Sequence, residues 1–210
     1  MTDQKYDALV TLVGPVSRET YERLTIFESE FRRWAQKINL AAPSTLESLW
    51  ERHVLDSAQL RTIESAAKTW LDLGSGGGFP GAILAILFAE RADTTVSLVE
   101  SNGKKVAFLQ AALGRAGLRA HVHAVRIEDA VGRVAQPEIV TARALAPLDV
   151  LLPLAAPWLT RGARGLFHKG RDYRAEIEKC HDAWQFDLVE HGSLIDRDSV
   201  ILDITNLARR

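Results

Sequence analysis

Apolar residues follow a helical spacing over the first part of the chain and later occur in short runs. Between residues 21 and 38 they recur at every third or fourth position, which predicts an amphipathic helix over residues 17–39. A second helix is expected to begin at Ser44, because Glu47 would complete a capping box with it. We expect residues 1–64 to form a helical segment that packs on the core and walls the pocket, since so short a piece makes a poor separate domain.

From residue 69 the chain alternates between strand and helix. Strands are predicted at 69–73, 95–100, 120–125, 138–142, 164–169, 185–190 and 199–205, and helices at 80–90, 103–116, 147–157 and 172–183. This alternation predicts a mainly parallel sheet with helices on both faces, formed by residues 65–210. The last two strands lack a helix between them, so one of them should run antiparallel at an edge.

The most informative segment is TWLDLGSGGGFPG at residues 69–81. It is typical of a buried strand that runs into a glycine turn and then into the first turn of a helix. Gly74, Gly76 and Gly78 permit positive φ and close approach of a ligand, and Pro80 suits a first helical position. The helix that follows directs unpaired N–H groups at whatever is bound. The segment therefore predicts a nucleotide-type binding site.

Two carboxylates, Asp72 and Glu100, end consecutive strands beside this turn, so we expect both to line one crevice. Gly76, Gly78 and Gly81 formally match the dinucleotide motif G-x-G-x-x-G. However, an acid beside the turn disfavours a pyrophosphate and favours a ligand with a positive sulfonium, such as S-adenosylmethionine. Glu100 would accept both ribose hydroxyls. The alternatives are a helix cap or turn former for Asp72 and a solvated strand end for Glu100.

Composition narrows the class of protein. The chain has 210 residues, a formal net charge of −1 and one cysteine, Cys180, which excludes an intrachain disulfide and a thiolate metal cluster. Its apolar runs fall short of the ~20 residues that a membrane helix needs. Asp3, Lys5 and Asp7 make the N-terminus unlike a signal peptide. We expect a cytoplasmic protein with no membrane association and no metal.

A basic run spans residues 161–174. It contains Arg161, Arg164, Lys169, Arg171 and Arg174 against one acid, Asp172. The run follows a predicted strand whose end should face the same crevice as Asp72. It is either a nucleic-acid-binding patch or an ordinary solvated face.

Several further segments complete a family pattern. They are Trp34, Asn39-Leu40, the residues from His53 to Ser57, 72–81, Glu100, Lys104-Lys105, Phe108-Leu109, 126–128, Arg143-Ala144 and Lys169-Gly170. With them, most of the chain resembles the bacterial ribosomal RNA small subunit methyltransferase G family, also called glucose-inhibited division protein B. The most specific elements are Phe79-Pro80-Gly81, the helix with His53 and Asp56, and the pairs that begin at Arg143 and Lys169.

The resemblance implies a Rossmann-like class I methyltransferase sheet, mostly parallel with an antiparallel last strand, and an N-terminal helical extension. The implied reaction transfers a methyl group from S-adenosylmethionine to N7 of a specific guanine in 16S ribosomal RNA. We expect the RNA to be bound within a small-subunit particle and the enzyme to be a monomer.

The resemblance also implies roles for individual residues. Those expected to bind the cofactor are Asp72, Gly74, Ser75, Gly76, Gly78, Phe79, Glu100, Ile127, Glu128 and Arg143. Arg126, Arg143 and Lys169 are expected to face the RNA or the target base as catalytic residues. Three residues depart from the family pattern: Ala41, Ile127 and Asp203. The first two affect pocket detail, and Asp203 argues against RNA contact at the C-terminal edge.

The implied chemistry needs no general base, because guanine N7 is a lone pair without a proton. Placement of the reactants is then the main source of catalysis. A cation against N7 would block the lone pair, so we expect Arg143 or Lys169 to contact O6 or neighbouring phosphates. The alternative for Arg143 is an ion pair with Asp72 or another acid at a strand end. We interpret His53 as a packed, hydrogen-bonded histidine and Asp56 as a pocket wall or cap.

The tryptophans at positions 34, 50, 70 and 158 have core spacing, which makes Phe79 the better aromatic candidate for the pocket. Two other functions stay open at this point. One is a methyltransferase of the same fold that acts on a small molecule or a protein, and the other is a cofactor-binding regulator without catalysis. A nicotinamide dehydrogenase is disfavoured, because no catalytic His or Lys with a second substrate domain follows Glu100.

Overall fold

One mixed sheet lies at the centre of the molecule. The computed structural model describes residues 3–119 and 121–210, and within them the sheet has seven strands in the order β3-β2-β1-β4-β5-β7-β6. The strands are β1 (Thr69–Leu73), β2 (Thr95–Val99), β3 (His121–His123), β4 (Ile139–Arg143), β5 (Arg164–Lys169), β6 (Trp184–Gly192) and β7 (Val200–Arg209). The predicted α/β class is confirmed. Residue 120, the first of the predicted third strand, lies outside the described residues, as do residues 1 and 2.

Helices pack on both faces of this sheet. They are α1 (Gln4–Val13), α2 (Arg18–Ala35), α3 (Asp56–Ala58), α4 (Leu60–Ile63), α5 (Gly81–Leu87), α6 (Gly103–Arg115), α7 (Ile127–Ala130), α8 (Leu148–Leu159) and α9 (Tyr173–Cys180). On one face, Phe27 and Phe31 of α2 pack against Phe108 of α6 and against Phe79. On the other face, α8 and α9 share a second apolar cluster with β4 and β7. The N-terminal segment thus contributes to the same apolar core as α5 and α6. A domain boundary near residue 64 stays a prediction.

The strand order reverses between β1 and β4, which pair in parallel with Asp72 opposite Thr141. From β1 the sheet continues through β2 to β3 on one side, and from β4 it continues to β5 on the other. The connections after β1 and β4 therefore diverge and leave a crevice at the carboxyl ends of these two strands. This is where the functional site is built.

One of the last two strands was expected to run antiparallel at an edge; the antiparallel strand is the last one, β7, and it does not lie at the edge. β7 pairs antiparallel with both β5 and β6 and lies between them, so β6 is the edge strand. Burial explains the arrangement. The residues of β7 from Val200 to Ile204 are all buried, whereas β6 exposes Val189, Glu190 and other residues to solvent. An apolar strand gains more from a central position, and a strand with polar residues suits an edge.

The segment before β1 is less regular than the predicted second helix. A 3₁₀ turn (Pro43–Thr45) is followed by a π-helical turn (Trp50–Leu55) and then by α3 and α4. The capping box at Ser44 is wrong, because Pro43 starts the turn one residue earlier and no side chain caps it. Pro80 is likewise the residue before α5 rather than its first residue, and the sequence pattern did not indicate α1 or α7.

The tryptophan predictions largely hold. Trp50, Trp70 and Trp158 are buried in the core, and Trp34 is half-buried with its ring against Phe108. Phe79 also lies in the core, where it stacks on His53. Burial of a large aromatic ring is among the strongest packing contributions in a protein core.

Asp203 of β7 is a buried carboxylate that pairs with neighbouring strands at the end of the sheet opposite the crevice. Its two oxygens accept hydrogen bonds from Arg164 at 2.7 and 2.6 Å and one from His191 at 2.9 Å. Arg164 also donates to Glu64 at 3.1 Å, which ties the N-terminal segment to β5 and β7. Asp203, which departs from the family pattern, is therefore part of an internal ion-pair network. Arg164 belongs to the same network and not to an RNA-binding patch.

Replacement of Asp203 by Ala should lower the free energy of unfolding by about 2 kcal/mol, because the half-buried Arg164 would lose its bidentate partner. Urea denaturation of the purified protein measures this. Asp182→Ala is the control, since Asp182 is exposed in the turn before β6 and its replacement should change stability by less than about 0.5 kcal/mol. Equal effects of the two substitutions would contradict the role of Asp203.

Candidate active site

Two cavities of similar size meet at the crevice. The turn cavity, of about 670 Å³, is lined by the glycine turn, by the ends of β2 and β4, by residues 40–42 and by residues 125–128. The lysine cavity, of about 660 Å³, is lined by residues 52, 53 and 56, by the loop after β4, by the end of β5 and by residues 195, 196 and 199. Residues that line both are Thr45, His53, Arg143, Ala144 and Leu145. These five residues, the shared wall, lie where the two cavities adjoin.

The glycine turn has the backbone conformation that its sequence predicts. Gly74, Gly76 and Gly78 have φ values of 64°, 54° and 88°. A Cβ atom at Gly74 would lie 2.5 Å from Cδ1 of Leu145, and one at Gly78 would lie 2.8 Å from the ring of Phe27. Glycine is therefore favoured at both positions by φ, and at Gly78 by space as well, since a Cβ there would also lie 2.8 Å from Cβ of Ala82. Gly74, Ser75 and Gly76 line the turn cavity, whereas Gly78 packs in the core behind it.

Glu100 fixes the turn to the end of β2. It is buried, and one oxygen accepts a hydrogen bond from the N–H of Gly76 at 2.8 Å while the other accepts from Asn102 at 2.7 Å. Each oxygen keeps a second lone pair, so the carboxylate can still accept from the vicinal hydroxyls of a ribose. Apolar Ile127 and the exposed Glu128 and Arg126 line the same cavity. The lining of this cavity fits S-adenosylmethionine, because it offers acceptors for a ribose, an apolar surface for an adenine and a glycine turn for the methionine part.

Asp72 does not line the crevice, and this expectation is wrong. Its side chain is buried, with a residue exposure of 1%, and accepts from the N–H of Gly81 at 3.2 Å and from the hydroxyl of Thr141 at 2.8 Å. It thus joins β1, β4 and the start of α5 beneath the turn. Burial raises its pKa to about 6, against the opposing effect of its hydrogen bonds. The alternative role as a cap of the turn and helix fits this geometry.

Arg143 of β4 forms the centre of the shared wall. One terminal nitrogen donates to the carbonyl of Arg52 at 3.1 Å and to Nδ1 of His53 at 2.5 Å. The other lies 3.2 Å from a carboxylate oxygen of Asp56. The acid that pairs with Arg143 is therefore Asp56 of the N-terminal segment rather than Asp72. Through Arg143, the end of the sheet is connected to that segment.

His53 is uncharged at neutral pH. Burial, together with the positive charges of Arg143 and Arg52, lowers its pKa to about 4. Because Nδ1 accepts from Arg143, the ring proton lies on Nε2, which donates to Thr45 at 2.9 Å. The interpretation of His53 as a packed and hydrogen-bonded residue fits these contacts.

Lys169 lies at the base of the lysine cavity and is almost fully buried. Its ammonium donates to the carbonyl of Ala146 at 2.7 Å and to Glu176 of α9 at 2.7 Å. One of its three N–H bonds is left for a ligand. The neighbouring His168 donates to the carbonyl of Asp56 at 3.0 Å, and burial lowers its pKa.

The basic run does not form one patch. Of its five cations, which all lie in the described part of the chain, Lys169 alone lines either cavity. Arg171 and Arg174 are exposed and lie near Asp198 and Glu190, and Arg161 is exposed just beyond α8. The strand geometry explains the difference, since β5 places Arg164 and Lys169 at opposite ends of the sheet.

Sequence reasoning missed residues that only the fold brings to the site. Thr45, Leu145 and Glu176 line the cavities, but none belongs to a motif that the sequence displays. Asp56 was expected as a wall or cap, but nothing indicated its pairing with Arg143. Asp56 and Arg143 lie far apart along the chain, so no local pattern could have revealed their ion pair.

Comparison with known proteins identifies the family of this chain. A family model described as rRNA small subunit methyltransferase G matches residues 20–199. Ribosomal RNA small subunit methyltransferase G of a Chelativorans species (strain BNC1) is 58% identical over 209 residues and covers 100% of both chains. The protein of the same name from Brucella canis is 54% identical, over 99% of this chain and 98% of its own. This chain belongs to the small-subunit rRNA methyltransferase G family.

Solved structures agree with the fold of this methyltransferase G family member. The O-methyltransferase from Bacillus cereus in complex with SAH superposes with a TM-score of 0.56 at 13% identity, over 95% of this chain and 96% of the other. A putative O-methyltransferase from Klebsiella pneumoniae gives a TM-score of 0.59 at 14% identity, with 95% of each chain covered. The predicted class I methyltransferase sheet is confirmed. No helix among the described residues of the family member is long and apolar enough to span a membrane.

In this methyltransferase G chain, Asp72 makes stability depend on pH. Its pKa is raised from 3.8 to about 6 in the folded state, so stability should fall as pH rises from 4 through 6. Asp72→Asn should remove this loss, because an amide does not ionise over this pH range. The amide can still accept from Gly81 and donate to Thr141, so the hydrogen bonds are kept. Relative to the variant, the wild type should lose up to roughly 3 kcal/mol between pH 4 and pH 7.

Urea denaturation over that pH range measures the difference. Asp182→Asn is the control, because Asp182 is exposed and its replacement should leave the pH profile parallel to that of the wild type. A parallel profile for Asp72→Asn as well would show that burial does not perturb this carboxyl group.

Proposed function

We propose that the turn cavity holds S-adenosylmethionine and that the lysine cavity receives the target guanine of 16S ribosomal RNA, with N7 directed at the shared wall. One observation carries this proposal. Two cavities of about 670 and 660 Å³ share the wall residues Thr45, His53, Arg143, Ala144 and Leu145, so a ligand in either faces a ligand in the other. Transfer between two bound molecules requires this arrangement.

Membership of the family makes this protein an S-adenosylmethionine-dependent methyltransferase of small-subunit ribosomal RNA. The bound cofactor supplies a methyl group activated by a positive sulfonium. Glu100 would hold the ribose, Ile127 and Glu128 the adenine edge, and Gly74, Ser75 and Gly76 the methionine part. Asp72 and Gly78 act behind them as positioning residues, because one fastens the turn and the other packs in the core.

The target atom, guanine N7, accepts the methyl group through a lone pair and needs no deprotonation. The wall contains no group suited to take a proton from it at neutral pH, because the basic nitrogen of the neutral His53 already accepts from Arg143. Catalysis then depends on alignment of the two ligands and exclusion of water. The residues of the wall supply that alignment through their mutual hydrogen bonds.

Arg143 and Lys169 take different parts in this scheme. One terminal nitrogen of Arg143 uses both N–H groups on Arg52 and His53, and the other is buried 3.2 Å from Asp56 without a hydrogen bond to any described residue, so Arg143 orders the wall. Lys169 retains one N–H toward the lysine cavity and would donate it to guanine O6, which leaves N7 free. Arg126 is exposed beside the turn cavity and would contact the RNA backbone.

The same proposal covers the setting of the reaction. We place the protein in the cytoplasm as a monomer that acts on RNA within a small-subunit particle. Residues 1–64 form one side of the lysine cavity through Thr45, Arg52, His53 and Asp56, so they would help to select the substrate. A methyltransferase for a small molecule or a protein, or a regulator without catalysis, is the rival function that the experiment must exclude.

The deciding experiment uses small-subunit particles and naked 16S RNA from cells that lack this gene. Purified protein and tritiated S-adenosylmethionine should label the RNA, and borohydride and aniline cleavage should map one N7-methylated guanine. Label in a metabolite fraction or in ribosomal proteins would favour the rival enzymes. Cofactor binding without transfer to any fraction would favour the regulator.

Arg143→Ala should slow single-turnover methyl transfer by about a hundredfold, because the wall would lose its central hydrogen bonds. Its affinity for S-adenosylhomocysteine should stay within about threefold of the wild type by calorimetry. Glu100→Ala is the reciprocal control and should weaken that affinity about tenfold or more. Equal losses of cofactor affinity in both variants would contradict the separate role of Arg143.

A further inference from the structure

Glu176 is an acid in the lysine cavity that neither the sequence motifs nor the cofactor assignment explains. It lies in the first turn of α9, with a side-chain exposure of 23%. Its Oε2 accepts from the ammonium of Lys169 at 2.7 Å and from the backbone N–H of Leu148 at 2.8 Å. Its Oε1 accepts no hydrogen bond from any residue that the structure describes. A carboxylate oxygen with free lone pairs therefore lies beside a lysine N–H that is also free.

This pair presents a donor next to an acceptor. Guanine carries the complementary pattern on adjacent positions, since O6 accepts and N1–H donates. Adenine carries the reverse, with a donor amine at position 6 and a lone pair at N1, so it would meet the ammonium and the carboxylate with like against like. Buried polar groups without partners reject such a ligand strongly.

The order of groups along the base also matches the order along the cavities. Around the purine, N7 is followed by O6 and then by N1. Arg143 lies in the wall that faces the turn cavity, whereas Lys169 and Glu176 line the lysine cavity alone. A guanine whose N7 faces the wall would therefore carry O6 toward Lys169 and N1–H toward Glu176.

We propose that Glu176 is a specificity-determining residue that accepts a hydrogen bond from guanine N1–H while Lys169 donates to O6. This inference rests on the proposed function. The same contact favours the reaction, because methylation of N7 places positive charge on the ring and makes N1–H a stronger donor. An interaction that strengthens toward the transition state raises the rate as well as the affinity.

The competing explanation is that Glu176 merely caps α8 through Leu148. Glu176→Gln separates the two roles. The amide oxygen can still accept from Leu148 and Lys169, but the amide N–H₂ would face guanine N1–H as donor against donor. A cap alone would leave base selectivity unchanged.

The experiment measures single-turnover methylation of particles whose target position carries guanosine, inosine or 2-aminopurine riboside, introduced by RNA ligation. Inosine keeps O6, N1–H and N7, whereas 2-aminopurine keeps N7 and the amine but lacks O6 and N1–H. The wild type should methylate inosine within about threefold of guanosine and 2-aminopurine about a hundredfold more slowly. Glu176→Gln should slow guanosine about tenfold and speed 2-aminopurine about threefold, because the amide N–H₂ can donate to the lone pair at its N1, so that the selectivity ratio shrinks.

Glu178→Gln, on the exposed side of the same helix, should behave as the wild type. An unchanged ratio in Glu176→Gln would overturn the proposal. So would rapid methylation of 2-aminopurine by the wild type, a result that requires no variant to fold. Failure of the wild type to methylate the guanosine particle would instead refute the proposed function, and the assignment of Glu176 with it.

Discussion

The arrangement of the site depends on one contact, the binding of the Arg143 guanidinium by the N-terminal segment. Arg143 ends β4 at the reversal of strand order, where the sheet alone would leave an open crevice. The carbonyl of Arg52, Nδ1 of His53 and the carboxylate of Asp56 hold its guanidinium from the other side. This contact lies where the two cavities adjoin, and through it the N-terminal segment contributes to the lining of both.

Charge compensation makes the contact possible. A buried guanidinium requires a negative charge and acceptors close to it, and a charged histidine beside it would repel it. His53 remains neutral because burial and its cationic neighbours lower its pKa, so its lone pair serves as an acceptor. In the lysine cavity, the carboxylate of Glu176 likewise compensates the charge of the buried Lys169 ammonium. Both arrangements pair a buried cation with a carboxylate and so hold the charged groups in fixed positions.

The turn cavity, in contrast, is shaped mainly by backbone geometry. The turn needs glycines because Gly74 and Gly78 both have positive φ, and a side chain at Gly78 would also collide with Phe27 and Ala82. The two acids beside it have separate tasks. Glu100 is reachable from the turn cavity and can contact a ligand, whereas Asp72 lies beneath the turn and binds the backbone of Gly81. Recognition and support of the turn are thus divided between the two carboxylates.

Features that depend on neighbouring residues could be predicted from the sequence alone. Alternation of apolar runs predicted the parallel sheet, the glycine spacing predicted the turn with its positive φ values, and the motif set identified the family. The fold was needed to show that β7 lies inside the sheet, that Asp72 is buried beneath the turn, and which partners Arg143 and Lys169 have. A local pattern specifies backbone conformation and burial, whereas these contacts depend on the order of the strands and on how each following helix packs back on the sheet.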